Sequence, residues 1–200
     1  MRKIVLATGN KNKVVELQEL LQDLPFDLLT INDYPDLIMP EEDQLTFAGN
    51  AAKKAEAITR QTGEIALADD SGLEVDALGG RPGVLSARYA GEGADYKANN
   101  LLLLEELEGI PPAKRKARFV CAIAIAVPGD QTCIVEGSCL GTITDRLQGE
   151  GGFGYDPLFF YEPAGLTFAQ MSAQEKNRVS HRGRALRKAR KLLKELIEED

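Results

Sequence analysis

The chain has 200 residues, 44% of them hydrophobic and 28% charged, which is an ordinary composition for a soluble globular protein. A formal net charge of −7 argues against a general nucleic-acid-binding protein, and apolar segments too short to span a bilayer argue against a membrane protein. Three cysteines without a CxxC pair argue against a zinc site or a disulfide scaffold, so we expect thiols in or near the core of a cytoplasmic protein.

The first half of the chain alternates between strand and helix patterns. The strands are short apolar runs, and the helices carry apolar residues at a spacing of three and four. In chain order we predict a strand over 3–7, a helix over 12–23, a strand over 26–31, a helix over 46–61 and a strand over 64–68. An acidic loop with two prolines separates the second strand from the second helix. This alternation is typical of an α/β sheet.

The second half of the chain begins with a helix pattern and then changes to strand patterns. We predict a helix over 94–107, strands over 118–127 and 131–143, and a closing amphipathic helix over 184–198. A PGDQ turn joins the two strands, which indicates an antiparallel hairpin. We therefore expect one α/β domain over residues 1–200, with an elongated mixed sheet, helices, and two lobes around a central groove.

The TGNKNK segment, Thr8 to Lys13, joins the first strand to the first helix. Free backbone N–H groups at a helix start, together with the helix dipole, form an anion site, and the two lysines add positive charge. The motif is not a P-loop, because GxxxxGK[ST] is absent. An ordinary glycine turn with solvated lysines explains the same residues equally well, so phosphate binding is one of two open interpretations.

Two adjacent carboxylates, Asp69 and Asp70, follow the predicted apolar strand and precede Ser71. Burying two like charges is costly, so a cationic or catalytic partner is expected. At the carboxyl end of a strand, such a pair is suited to hold Mg²⁺ and to orient or deprotonate a water. The alternative is a turn in which Asp and Ser cap backbone groups, and it explains one aspartate better than two.

A second acidic cluster, Glu41 to Asp43, stands on the loop before the second helix. Favourable charge near a helix N-terminus, worth roughly a few tenths of a kcal/mol, is the simpler explanation. The alternative is a magnesium ligand that reaches toward the aspartate pair, because Mg²⁺ takes one or two carboxylates together with phosphate oxygens and waters. Taken alone, the cluster favours the simpler explanation.

Two later motifs carry aromatic and hydrogen-bond-donor side chains. GEGGFGYDPLFF contains a formal GxGxxG, but a strand-like run follows it where a dinucleotide-binding motif needs a helix. We interpret it as a loop that presents Phe153, Tyr155 and Asp156 to a base. SHRGRAL contains the single histidine of the chain, and a lone histidine is usually structural. The alternative is that Ser180, His181 and Arg182, at a helix start, donate to carbonyl or phosphate oxygens, whereas no nucleophile pattern supports a covalent triad.

Five motifs occur in a fixed order and together resemble the inosine triphosphate pyrophosphatase-like family. They are TGNKNK, TFxxNAxxKA, ADDSGLEVDALGGRPG, GGFGYDP and SHRGRAL, and they span Thr8 to Leu186. The resemblance implies a homodimeric, Mg²⁺-dependent enzyme with an elongated mixed α/β sheet and a site in the groove between two lobes. It also implies that XTP, ITP or dITP is the substrate and that the monophosphate and pyrophosphate are the products.

The resemblance also assigns roles to individual residues. The residues implied to hold the triphosphate are Thr8, Gly9, Asn10, Lys11, Asn12, Lys13 and Lys54. The residues implied to contact the rest of the substrate, mostly the base, are Ser71, Phe153, Gly154, Tyr155, Asp156, Lys176, His181 and Arg182. Glu41 and Asp70 are implied to hold magnesium, with Asp70 as the proton acceptor and Asp69 as a second catalytic candidate. Glu42 stays open as the alternative ligand, and Gln44 stands where the family often has glycine.

Hydrogen bonding explains the base selectivity that the resemblance implies. Hypoxanthine and xanthine carry a carbonyl at C6 where adenine carries an amino group, so donors such as His181 and Arg182 favour the first two bases. Guanine shares that carbonyl, so its exclusion must depend on the 2-position of the base. Two alternatives stay open: a pyrophosphatase for other modified nucleotides, including pyrimidines, and a non-catalytic nucleotide sensor.

Overall fold

The computed structural model describes residues 2–198, and these residues form two compact units. The first unit comprises residues up to 70, residues 121–137 and residues from 182 onward, and the second comprises residues 71–120 and 138–181. Each unit has its own hydrophobic core. The single domain over 1–200 and the central groove stay predictions.

The described strands belong to one mixed sheet. They are β1 (Arg2–Leu6), β2 (Phe26–Thr30), β3 (Ile65–Val75), β4 (Lys116–Ala126), β5 (Cys133–Ile143), β6 (Phe159–Tyr161) and β7 (Leu166–Thr167). Their order in the sheet is β2-β1-β3-β4-β5-β6-β7. β1 pairs in parallel with β2 and β3, whereas β6 pairs antiparallel with β5 and β7. The predicted mixed sheet is confirmed, and β4 and β5 are neighbours, as the predicted hairpin requires.

The α-helices in the described part of the chain are α1 (Lys11–Leu21), α2 (Phe47–Thr62), α3 (Tyr96–Glu106), α4 (Ala173–Val179) and α5 (His181–Glu198). Thr46 caps α2 by accepting from the N–H of Gly49, and Gly63, with a φ of 71°, ends it. Four helices were predicted within a few residues of their bounds. No helix was predicted at α4, although its capping box, formed by Ser172 and Glu175, is a sequence signal for a helix start. Of the helices described, none combines the length and the apolar character needed to cross a bilayer.

The predicted end of the third strand is wrong. We placed Asp69 and Asp70 after a strand over 64–68, but β3 runs through both and ends at Val75. Charged residues interrupt the apolar pattern of the sequence, whereas in the fold neighbouring cations and an amide offset their charge, so the backbone stays extended. The start of the last helix is also earlier than predicted, so His181 lies in the first turn of α5.

The core of the first unit is formed by β1, β3 and β4 with one face each of α1 and α5. The buried face of α5 includes Leu186, Ala189 and Leu193, as its spacing predicts. Cys121 belongs to this core. The expectation of buried thiols fails for Cys133, which is exposed.

The core of the second unit is rich in aromatic rings. The ring centroid of Phe119 lies 4.6 Å from that of Phe159 and 5.8 Å from that of Phe168. The imidazole of His181 stacks on Phe119 at 4.5 Å with an interplanar angle of 10°. Leucines of α3 complete the cluster. The single histidine of the chain is thus fixed against a rigid aromatic surface.

Candidate functional site

The TGNKNK segment forms the predicted turn between β1 and α1. Asn10 caps α1, because its Oδ1 accepts from the N–H groups of Asn12 and Lys13 at 3.0 and 3.3 Å. The N–H of Asn10 itself donates to the Thr8 hydroxyl at 3.2 Å. The expectation of free N–H groups at this helix start is therefore wrong for Asn12 and Lys13. The exposed members of the motif are Gly9, Lys11 and Asn12.

Asp69 lies at the centre of a buried ion cluster in the first unit. Its side chain is fully buried, and its Oδ2 lies 3.1 Å from Lys13 Nζ and 3.2 Å from Nε and Nη2 of Arg182. Arg182 also donates from Nη1 to Glu16. Burial by itself would raise the pKa of Asp69, but the charges of Lys13, Arg182 and Lys54 together outweigh it and hold that pKa well below its ordinary value. Asp69 is therefore ionised at neutral pH.

The ion cluster changes the interpretation of two predicted site residues. A carboxylate with a depressed pKa is a weak base, so Asp69 is better suited to hold cations than to take a proton from water. The guanidinium of Arg182 is buried and engaged with Asp69 and Glu16. Its contact with a base stays a prediction.

Asp70, the next residue on β3, has a different environment. Its Oδ2 accepts a hydrogen bond from Asn50 Nδ2 at 3.0 Å, and its Oδ1 lies 3.7 Å from Lys54 Nζ. Burial, together with the negative charge of Glu42, raises the pKa of Asp70 by more than Lys54, Lys13 and the Asn50 hydrogen bond lower it. Ser71, which follows on the same strand, is half-buried. Two adjacent carboxyls thus have pKa values displaced in opposite directions, a pattern that separates acid–base roles in active sites.

Lys54, on α2, connects the aspartate pair with the acidic loop. Its Nζ donates to Glu42 Oε1 at 2.6 Å and to the backbone carbonyl of Asp69 at 2.8 Å. Burial lowers the pKa of Lys54, but the charges of Asp70, Asp69 and Glu42 together raise that pKa by more than burial lowers it, so Lys54 stays protonated. Glu41 is exposed. Of the two adjacent glutamates, Glu42 is the one that the fold brings to this cation.

Asn50 received no role from the sequence, although it belongs to the TFxxNAxxKA motif. It is 1% exposed and contacts both Asp70 and the acidic loop. The N–H of Gln44 donates to its Oδ1 at 2.9 Å, and its Nδ2 donates to the carbonyl of Gln44 at 3.4 Å. Asn50 could have been found as a polar amide on the inner face of an amphipathic helix, because a buried amide needs hydrogen-bond partners.

In the second unit, the GFGYDP loop is organised around the carboxylate of Asp156. This carboxylate is buried, and its Oδ2 accepts from the N–H of Phe153 at 2.8 Å and from Lys176 Nζ at 2.7 Å. Lys176 Nζ also lies 4.7 Å from the ring centroid of Phe153, within cation–π range. A Cβ at Gly152 would lie 2.1 Å from the Asp156 carboxylate, so a side chain there would disrupt the loop. Asp156 and Lys176 therefore hold the loop that presents Phe153.

The other residues predicted to contact the base are fixed inside the second unit. Asn100 Nδ2 donates to the carbonyl of Gly154 at 2.8 Å, which ties the loop to α3. Tyr155 is 4% exposed and donates from its hydroxyl to the carbonyl of Ser86 at 2.9 Å, and burial raises its pKa. The imidazole of His181 is buried against the aromatic core. The side chain of Tyr155 is thus a core element, and its grip on a base stays a prediction.

The donors in the first unit fit a hard divalent cation that is held partly by a substrate. Across residues 2–198, no cluster of three or more Asp, Glu, His or Cys side chains is placed to hold a metal alone. Asp70 and Glu42 nevertheless both form ion pairs with one cation, the ammonium of Lys54. Two carboxylates suit Mg²⁺, which completes its octahedron with phosphate oxygens and waters. The arrangement can therefore receive a metal together with a phosphate chain.

The Ham1 family model matches residues 4–192 of the chain. A dITP/XTP pyrophosphatase of Desulforamulus reducens is 55% identical over 194 residues, which are 97% of this chain and 96% of the relative. A dITP/XTP pyrophosphatase of Geobacter sulfurreducens is 52% identical and covers 93% of this chain and 94% of its own. The solved structure of a HAM1 protein from Coxiella burnetii has a TM-score of 0.90 and 41% identity, and covers 98% of this chain and 100% of its own.

Proposed function

This chain belongs to the Ham1 family, and from that premise we propose that it is an enzyme which hydrolyses non-canonical purine nucleoside triphosphates. The substrates are dITP, XTP and ITP, and the products are the nucleoside monophosphate and pyrophosphate. Relatives that carry the name dITP/XTP pyrophosphatase support the proposal, since they match this chain over nearly its whole length at 55% and 52% identity. The reaction clears these nucleotides from the pool.

The observation that carries the proposal is the contrast between Asp69 and Asp70. Cations hold the pKa of Asp69 low, whereas burial raises the pKa of Asp70. The base that accepts a proton from water needs a pKa nearer to neutrality than an ordinary carboxyl has, so Asp70 takes this role. As the proton passes to Asp70, the water oxygen bonds to phosphorus and the α–β phosphoanhydride bond breaks.

Two lysines of the first unit provide positive charge for the phosphates. Lys13 lies at the start of α1 and contacts Asp69, and Lys54 lies between Glu42 and Asp70. Fixed cations stabilise the charge that develops on the phosphate oxygens during transfer. Asp69 keeps Lys13 in place, which gives the fully buried carboxylate a function other than that of a base.

Mg²⁺ is the proposed metal, and a glutamate of the acidic loop would hold it together with phosphate oxygens. A carboxylate bound directly to Mg²⁺ is a poor base, so Asp70 is proposed as the base beside the metal, and the ligand role that the resemblance implies for it stays a prediction. Glu41 was the predicted ligand, but Glu42 is the glutamate whose carboxylate reaches Lys54 beside Asp70. When bound, Mg²⁺ supplies charge neutralisation and orientation of the phosphate oxygens. The chain itself supplies the proton acceptor and the lysine cations.

Phe153 and His181 are proposed to recognise the base. Phe153 offers an aromatic ring for stacking, and the loop that carries it is fixed by Asp156 and Lys176. His181, held against the aromatic core, is the donor proposed for the C6 carbonyl of hypoxanthine and xanthine. Adenine carries an amino group there and loses that hydrogen bond.

A panel of nucleotides tests the proposed function. Release of pyrophosphate is measured with Mg²⁺ for dITP, XTP, ITP, dGTP, dATP and modified pyrimidine triphosphates. The proposal expects kcat/KM for dITP and XTP to exceed that for dATP by about 10²-fold or more. Equal values of kcat/KM for all the purine nucleotides would refute the selectivity. A higher kcat/KM for a modified pyrimidine triphosphate would favour the alternative of a pyrophosphatase for other modified nucleotides.

Replacing Glu42 with glutamine is expected to raise the Mg²⁺ concentration for half-maximal activity by about 10-fold or more, because the change removes a carboxylate beside Asp70. Glu41→Gln is the matched control, with the same chemistry one residue away on an exposed side chain. We expect it to leave that concentration within about 3-fold of the wild type. The larger shift in Glu41→Gln would instead identify Glu41 as the ligand.

Replacing Phe153 with leucine is expected to raise KM for dITP by about 5- to 150-fold, because stacking of a base on an aromatic ring is worth about 1–3 kcal/mol. The value of kcat should change much less, since the ring does not act on the phosphates. Phe153→Tyr keeps the ring and is expected to keep KM near the wild-type value. An unchanged KM in the leucine variant would show that the base does not stack on this residue.

We also propose that the enzyme is a cytoplasmic homodimer that binds neither nucleic acid nor membrane. The dimer is supported by the family resemblance and by large exposed apolar side chains of the second unit, including Leu101, Leu140 and Leu147. The cytoplasm is supported by three cysteines that carry thiols, and the acidic net charge opposes nucleic-acid binding. Light scattering after gel filtration tests the dimer, since one chain has a mass of 21.8 kDa.

A further inference from the structure

Two side-chain amides of α2 bind the backbone of the acidic loop in the same way. Asn50 accepts from the N–H of Gln44 at 2.9 Å and donates to its carbonyl at 3.4 Å. Gln61 accepts from the N–H of Ile38 at 2.9 Å and donates to its carbonyl at 2.8 Å. Each amide thus satisfies both backbone groups of one loop residue. We call these pairs the inner clamp (Asn50–Gln44) and the outer clamp (Gln61–Ile38).

The inner clamp has one partner that the outer clamp lacks. Nδ2 of Asn50 also donates to Asp70 Oδ2 at 3.0 Å. Asn50 is 1% exposed, whereas Gln61 is at the surface. One buried amide therefore connects α2, the strand that carries Asp70 and the loop that carries the two glutamates.

We propose that Asn50 is a positioning residue: it binds both the acidic loop and Asp70, and so holds their carboxylates beside the same divalent cation. This positioning role deepens the proposed function. It rests on that function only for the expectation that a misplaced cation would lower the rate of hydrolysis. The short span from Asn50 Oδ1 to Gln44 and from Nδ2 to Asp70 sets the loop carboxylates relative to β3. Lys53 forms an exposed ion pair with Asp43, and the buried Lys54 joins Glu42 to the carbonyl of Asp69. These lysines bind side chains of the loop, whereas Asn50 binds the loop backbone itself.

The chemistry of the inner clamp requires an amide of this length. An aspartate at this position has no N–H to donate and would place a second negative charge against Asp70. A serine is too short to reach both the strand and the loop, and a glutamine is longer by one methylene in a closely packed site. Asparagine supplies a donor and an acceptor together, and both are used here.

Equilibrium binding of Mn²⁺ together with imidodiphosphate, which supplies phosphate oxygens without being a nucleotide, is measured by electron paramagnetic resonance and tests the positioning role. Asn50→Ala and the nearly isosteric Asn50→Leu are expected to weaken Mn²⁺ binding by about 10- to 100-fold, the range for residues that orient metal ligands. Gln61→Ala is the matched control: it removes an equivalent pair of backbone bonds from the same loop without touching Asp70. It should stay within about 3-fold of the wild type.

A second pair of variants avoids changing the buried residue. Gln44→Pro removes the N–H that donates to Asn50 Oδ1, and Gln44→Ala keeps it, so only the proline variant should weaken Mn²⁺ binding and increase hydrogen exchange of residues 41–46. Equal Mn²⁺ affinity in the wild type and in the Asn50 and Gln44→Pro variants would overturn the proposal, as would an equal loss in Gln61→Ala or no Mn²⁺ binding by the wild type. If the variants differ as expected but no nucleotide is hydrolysed, the proposed function fails and the positioning role stands.

Discussion

Asp70→Asn is expected to lower kcat for dITP hydrolysis by about 10²- to 10⁴-fold, the usual contribution of a general base. The amide is nearly isosteric with the carboxyl but cannot accept a proton from water. Binding of dITP should persist, because Lys13 and Phe153 are unchanged. Pyrophosphate release measures turnover, and calorimetric titration with Ca²⁺ in place of Mg²⁺ measures nucleotide binding.

Asp76→Asn is a suitable control for Asp70→Asn, since Asp76 is exposed in the second unit and plays no part in the proposed chemistry. It should keep wild-type turnover. A wild-type protein that binds dITP without releasing pyrophosphate would favour the nucleotide sensor. An Asp70→Asn variant with wild-type kcat would remove Asp70 from the role of base.

Asp69→Asn is expected to lower the free energy of unfolding by about 3–5 kcal/mol, the cost of breaking a buried ion pair by removing one partner. The guanidinium of Arg182 is 2% exposed and would lose one of its two carboxylate partners, and Lys13 would lose the same carboxylate. Urea denaturation of the wild type and the variant measures the difference. Asp43→Asn, which removes an exposed ion pair with Lys53, should cost less than about 1 kcal/mol.

The stabilisation by Asp69 has a defined dependence on pH. The pKa of Asp69 is lowered in the folded state, so its contribution is complete above the pKa of the unfolded chain, about 4, and declines only as the pH falls toward the folded-state value. The difference between wild type and Asp69→Asn should therefore be constant from about pH 5 to pH 8 and shrink in stronger acid. A difference that shrinks between pH 7 and pH 5 would contradict a depressed pKa.

Local patterns predicted most of the helices and strands and located the aspartate pair. They failed at the end of β3, because the charges that allow Asp69 to stay in a strand come from distant positions. Lys13 precedes Asp69 by more than fifty residues, and Arg182 follows it by 113. A window of neighbouring residues contains neither partner. Long-range charge pairing therefore decides where such a strand ends.

The sequence predicted which residues belong to the candidate site better than it predicted the contacts that they make. Tyr155 and Phe153 stand two positions apart in one aromatic motif, yet the Tyr155 hydroxyl is bound to Ser86, 69 residues earlier, and the side chain belongs to the core. Asn50 is the opposite case, because its motif was recognised while its contacts with Gln44 and Asp70 depend on the path of an irregular loop. Residue type and spacing do not encode either arrangement.

The central claim is that the chain cleaves the α–β phosphoanhydride bond of a non-canonical purine triphosphate. Chromatographic separation of the products formed from dITP with Mg²⁺ tests it most directly. The account predicts dIMP and pyrophosphate in equal amounts, with no dIDP at any time. Formation of dIDP and inorganic phosphate, or unchanged dITP at high enzyme concentration, would contradict it.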